Sequence, residues 1–216
     1  MATAEHILDE PYTDYPVPPS LRMSEEEFVA WCESHSKARV EWVDGEVIIM
    51  SPANREHASL NLWLGCVLLP FVQRHGLGDV VGPEFTVRLA KQRRRRVPDL
   101  LFVQQSRLHL IQRNHLEGAP DAAFEIISPD SIARDWREKY AEYQTAGVRE
   151  YWILDPAVPR FEAYSLNDGQ FQLIAPQDGK VASVVLPGFY MRPEWVVPET
   201  RPMVLDALKE LCVIAS

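Results

Sequence analysis

Long apolar runs, paired cysteines and phosphate-binding glycine loops are all missing from this chain of 216 residues. No stretch of about 18 apolar residues occurs, so no membrane-spanning helix is expected. The three cysteines, Cys32, Cys66 and Cys212, are widely spaced and form no C-x-x-C. That argues against a disulfide framework or a cysteine zinc site, and each thiol is expected to be a small buried hydrophobe in a reducing compartment. The N-terminal MATAEHILDEPYTDY has neither a basic start nor an apolar core, so no secretory signal is expected and the cytoplasm is the expected location. Walker A, H-E-x-x-H and G-x-S-x-G are absent. Gly76, Gly78 and Gly82 are wrongly spaced for a dinucleotide loop and precede a strand, so they read as a turn. An excess of positive charge is missing too. With a net charge of -9, any nucleic-acid footprint has to be local.

What is present is an ordinary globular composition, 46% hydrophobic and 25% charged, long enough to bury one large core. Residues 1–20, with Pro11, Pro16, Pro18 and Pro19, read as an extended arm ahead of a domain over 21–200 and a C-terminal helix in 201–216. Ser24 and Glu27 form a capping box for a short helix. RVEWVDGEVIIMSP reads as a hairpin about Asp44-Gly45. Leu60, Leu64, Val67, Leu68 and Phe71 recur at helical spacing between His57 and His75. Strands are expected near 79–89 and 97–103, separated by a basic turn, while 104–118 shows no clear pattern. AAFEII (122–127) suits a central strand buried on both faces. Ser131 is placed to cap a helix running to Ala146 with Gly147 at its end. REYWILD (149–155) is a further strand, and FEAYSL, QFQLIA and VASVVL form a β-meander. The order implies an α/β fold, a mixed sheet flanked by helices.

Candidate chemistry lies in acids set within apolar strands. Asp99 in VPDLLFV and Glu125 in AAFEIIS are costly to bury without a cation or donors beside them. On neighbouring strands both would offer hard oxygen ligands to Mg²⁺. Asp135, Lys139 and Tyr143 share one face of the following helix. Two strand acids and a lysine meet the needs of phosphodiester hydrolysis, in which a metal polarises phosphate and water and an ammonium offsets developing charge.

RVEWVDGEVIIMSP, His57, VPDLLFV, FEIISPDS, the D-x-x-x-K-x-x-x-Y helix and GVREYWILDP together resemble the Uma-two family of restriction endonuclease domains. That family belongs to the PD-(D/E)XK nuclease superfamily. The resemblance covers roughly residues 24–196. It implies a restriction-endonuclease-like fold, a Mg²⁺- or Mn²⁺-dependent endonuclease acting on DNA, and Asp99 and Glu125 as the motif acids. The superfamily lysine follows the second acid by two positions, where this chain has Ile127, so the resemblance points to Lys139 instead. It also puts Glu41 and His57 near the site.

Plainer readings stand beside these. Asp99 and Glu125 would equally pair with arginines such as Arg134 or Arg149, and Lys139 with Asp135. Tyr143, Tyr151 and Trp152 read as core, and Asp121 and Asp130 as turn or cap residues. The run Lys91-Gln92-Arg93-Arg94-Arg95-Arg96 reads either as a solvated hairpin tip or as the phosphate contact, with Arg93 to Arg96 as the nucleic-acid-binding residues. A nuclease fold that binds nucleic acid or a partner without cutting is the competing function. A homodimer is expected in either case, with the arm and the meander as candidate interfaces.

Overall fold

The computed structural model describes residues 21–35, 39–127, 134–157 and 160–215. The expected arm, Asp130 and the Ser131 cap lie outside them. Helix α1 (Glu25–Ser34) starts at Ser24, whose hydroxyl and the Glu27 carboxylate complete the capping box. Strands β1 (Val40–Val43) and β2 (Glu46–Ile49) close on Asp44 and Gly45, both at positive φ, as a two-residue hairpin turn requires. Helix α2 (Arg55–His75) follows. No helix among the described residues is long and apolar enough to cross a membrane.

The expected strand over 79–89 is two strands. Strand β3 (Gly78–Val81) and β4 (Thr86–Leu89) are separated by Gly82-Pro83-Glu84-Phe85 and join different sheets. Pro83 has no N–H to give a ladder, and Gly82 and Glu84 sit at positive φ, so one strand cannot run through. The basic segment is likewise not a loop. After a short 3-10 turn, Arg94–Arg96 form β5, paired with both β1 and β4. Then come β6 (Leu100–Gln104), β7 (His115–Glu117), β8 (Ala122–Ile126), a π-helical turn (Arg134–Lys139) running into α3 (Tyr140–Ala146), and β9 (Glu150–Asp155). The meander is β10 (Arg160–Asn167), β11 (Gln170–Leu173) and the small pair β12 (Val181–Ala182) and β13 (Tyr190–Met191). Helix α4 (Val204–Glu210) ends the described fold.

Two sheets matter for function. The larger has the order β11-β10-β9-β8-β6-β3 and is mixed, with β8 and β9 parallel and the other pairs antiparallel. The smaller is β2-β1-β5-β4-β7. Strand alternation divides the larger sheet cleanly. Leu100, Phe102, Phe124, Ile126, Trp152 and Leu154 pack under α2 and α4. Leu101, Val103, Ala123, Ile127, Tyr151 and Ile153 pack with Tyr143 of α3 and with Val87 and Leu89 of the smaller sheet. Parity therefore turns Glu125 toward the α3 side. Two of the three thiols depart from the sequence expectation, since Cys66 and Cys212 are exposed. Cys66 lies on the exposed side of α2, and Cys212 lies in the turn that follows α4.

Gly82 is a close approach as well as a turn. A Cβ there would lie 2.5 Å from the Asp99 carbonyl oxygen and 3.2 Å from the Leu100 Cα, with φ at +148°. Backbone cannot yield as a side-chain tip does. Gly82→Ala is expected to cost about 2 kcal/mol in urea denaturation and to shift the strand entry that carries Asp99.

Candidate active site

The five residues singled out by sequence fall into two adjoining groups. In the first, Asp99 lies just before β6, where its Oδ2 accepts the Ile126 N–H at 2.7 Å and sits 3.2 Å from His57 Nε2. That backbone bond ties the start of β6 to the end of β8. His57 enters from the first turn of α2, and its other ring nitrogen, Nδ1, is buried with no hydrogen-bond partner among the described residues.

In the second group, Lys139 Nζ is 2.8 Å from Glu125 Oε2 and 3.4 Å from Glu41 Oε1, and all three side chains are almost wholly buried. Tyr143, one turn beyond Lys139, donates its hydroxyl to Glu125 Oε1 at 3.0 Å. Burial first, and then the Glu125 charge, push the Tyr143 hydroxyl well above its ordinary range, so it remains a donor. Glu41 also accepts the Val97 N–H at 3.0 Å and Arg96 Nη1 at 2.7 Å.

Burial alone would drive the Glu41 carboxyl upward. The charges of Lys139 and Arg96 and the Val97 hydrogen bond outweigh it, and the carboxyl is held down at about 2. A carboxyl depressed in the fold contributes stability above its unfolded value of 4.5 and loses it as pH falls toward 2. The loss is expected to approach about 3 kcal/mol, at 1.36 kcal/mol per unit. Glu25 is also held below its ordinary range, first of all by its Arg88 hydrogen bond. The pH 7 to pH 3 change in urea midpoint should therefore be compared between the native chain and Glu41→Gln, whose slope should be smaller.

The arginine run needs correction. Arg96 is fully buried, so it cannot meet a phosphate on the surface. Its guanidinium grips Glu142 through Nε at 2.7 Å and Nη2 at 2.9 Å besides holding Glu41. Arg94 also reaches Glu142 at 2.7 Å, and Arg95 turns to the opposite side, onto Glu25 at 2.8 Å. Alternation along a strand explains the split. Arg93 alone of the four is mainly exposed, against Asp44.

Other expectations resolve as follows. Arg149 pairs with Asp121, as does Arg107, and Asp121 also accepts the Gln104 N–H, so Asp121 is a buried anchor and not a simple turn residue. Tyr151 and Trp152 are core. Tyr143 is core with its hydroxyl on Glu125, which apolar patterning does not reveal. The side chains of Arg134 and Asp135 lie outside the described residues.

The donor set suits a hard divalent cation. Glu41, Asp99, Glu125 and Glu142 bring four carboxylates into this region, against Arg94, Arg96 and Lys139 among the described residues. No group of three or more His, Cys, Asp or Glu side chains gathers as a metal cage among the described residues. Mg²⁺ needs none, because it keeps several waters and takes one or two carboxylates. Asp99 and Glu125 would be the residues to hold it.

Comparison with known proteins agrees with the fold. The structure resembles that of a protein titled a putative nuclease belonging to DUF820 from Anabaena variabilis ATCC 29413, with a TM-score of 0.61 and 17% identity, over 73% of this chain and 88% of that one. At that identity the likeness speaks for the fold. No curated protein matches the chain. The Uma2 family, described as a putative restriction endonuclease, matches residues 25–194, most of the chain, and the protein belongs to that family.

Proposed function

We propose that the protein is a Mg²⁺- or Mn²⁺-dependent endonuclease that hydrolyses DNA phosphodiester bonds. The observation that carries this reading is the convergence of Lys139 on Glu125 at 2.8 Å from a separate helix. It supplies the acid–lysine pair that Ile127 leaves incomplete along the strand. Asp99 and Glu125 hold the cation, which when bound polarises a phosphate oxygen and acidifies water. Lys139 presents an ammonium to the charge that develops on the phosphoryl oxygens. Glu41 balances that ammonium while it is buried, and His57, held by Asp99, is an auxiliary group beside the site. The reading includes a homodimer, which presents two sites to two strands.

A second reading is favoured by one observation: both oxygens of Glu125 are already engaged, by Tyr143 and Lys139. On that reading the fold binds nucleic acid or a partner and does not cut. Incubation with plasmid, single-stranded and branched DNA, with each metal in turn, tests the first reading. Metal-dependent cleavage that disappears in Asp99→Ala and Glu125→Ala supports it, and cleavage that survives both ends it.

The revised place of the arginines alters the expected route of DNA contact. Arg93, in an exposed pair with Asp44, is open to phosphate, while Arg94, Arg95 and Arg96 are held in more buried ion pairs. Arg93→Gln is expected to flatten the slope of log K against log salt by roughly 0.9 on duplex DNA with little change in melting temperature. An unchanged slope would mark this turn as solvated surface only.

A further inference from the structure

A lysine two residues along the strand from its acid is positioned by the sheet itself. A lysine on the next helix is positioned only as well as that helix is docked. The contacts that dock it here are specific. Arg96 Nε and Nη2 form a fork on Glu142, and Glu142 lies one turn beyond Lys139 on the same helix. Through Nη1 the same guanidinium holds Glu41 Oε2 at 2.7 Å, while the Val97 N–H holds Oε1, the oxygen that faces Lys139. Two residues further on is Asp99. The segment 96–99 thus fixes the helix bearing the lysine, the lysine's counter-ion and the first motif acid together.

We propose that Arg96 is a positioning residue that acts through Lys139, fixing both the helix that carries it and the Glu41 carboxylate that faces it. The assignment rests on the nuclease reading for its kinetic consequence, though the positioning itself can be measured without activity. Burial opposes a charged guanidinium, and the hydrogen bonds and charges of Glu142 and Glu41 more than restore it, so Arg96 stays a cation throughout. Lysine at this place retains a charge but has no planar fork to span Glu41 and Glu142 together.

The test uses Arg96→Lys, with Glu142→Gln as a milder variant at the partly exposed end of the same clamp. Each is combined with Lys139→Met in a double-mutant cycle. Misplacement of a catalytic group by about 1 Å costs roughly 10²-fold, so kcat should fall by about that factor in Arg96→Lys with KM little changed. In the Lys139→Met background the same change should lower kcat by less than about twofold, because its only route of action is gone. Equal losses in both backgrounds would overturn the proposal, since a general structural defect adds to the loss of Lys139.

The second arm reads Lys139 directly, by reductive methylation with formaldehyde and mass spectrometry of the folded protein. Lys139 is 1% exposed, and its modification should speed up by about tenfold or more in Arg96→Lys or Glu142→Gln. The urea midpoint, measured in parallel, shows whether global unfolding accounts for the change. An unchanged labelling rate in a folded variant overturns the positioning role. If the native protein cuts no DNA, the nuclease reading fails while this arm still decides whether Arg96 holds Lys139.

Discussion

Asp99→Asn is expected to lower metal-dependent DNA cleavage by about a thousandfold or more while leaving the fold intact. The substitution keeps the shape and an oxygen that accepts the Ile126 N–H, now held at 2.7 Å. What it removes is the negative charge on which a divalent cation depends. Metal-ion stabilisation of transition-state charge is worth several kcal/mol, and each 1.36 kcal/mol is a factor of ten. Glu125→Gln should act similarly, with an added effect, because Lys139 loses a counter-charge 2.8 Å away. Initial rates on plasmid DNA in Mg²⁺, with a thermal melt alongside, separate loss of chemistry from loss of structure. A variant that melts normally and cleaves at the native rate would remove Asp99 from the site.

Glu41→Ala is expected to have the largest effect on stability. It strips Arg96 and Lys139 of a shared carboxylate inside the protein, where both cations are at most 1% exposed. Breaking a buried pair by removing one partner costs about 3–5 kcal/mol, because the remaining charge is left without compensation. Here Arg96 keeps Glu142 and Lys139 keeps Glu125, which places the cost at the lower end, about 3 kcal/mol. Taken with the usual size dependence, a fall of about 10 °C in melting temperature follows. By contrast Arg93→Gln, at an exposed pair, should change stability by less than about 1 kcal/mol. Equal melting temperatures for the Glu41 and Arg93 variants would contradict the buried network.

The two strands that carry the candidate acids were legible because their signals are local. An acid inside AAFEII can be assigned a face by counting from Phe124 and Ile126, and the apolar run marks a central strand. Helix α2, the Asp44-Gly45 hairpin and the Gly147 helix end were legible for the same reason. The departures fall in 79–96 and the segment without a clear pattern is 104–118, both where the chain passes between two sheets. Pro83 could have flagged the break, but nothing local says that the residues after it join a different sheet.

The Glu41–Arg96 pair is a case of non-local register. Trp42 lies opposite Arg95 across β1 and β5, and extending the ladder by one residue sets Glu41 opposite Arg96. Without that pairing, four arginines in an acidic chain look like surface, since exposed charge runs are the common case. The signal that was available is compositional. Glu138 and Glu142 on the lysine helix and Glu25 on α1 supply acids at the spacing that a strand of alternating arginines needs. Tyr143 was hidden for a different reason, because an aromatic at core spacing gives no hint of what its hydroxyl meets.

Calorimetric titration with Mn²⁺ tests the central claim most directly, since it asks for the metal site without requiring the right DNA. The native protein should bind Mn²⁺ at one class of site, and the Asp99→Asn, Glu125→Gln double variant should show no such binding while remaining folded. Absence of Mn²⁺ binding in the native protein, or equal binding in the double variant, would contradict a metal-dependent nuclease site at Asp99 and Glu125.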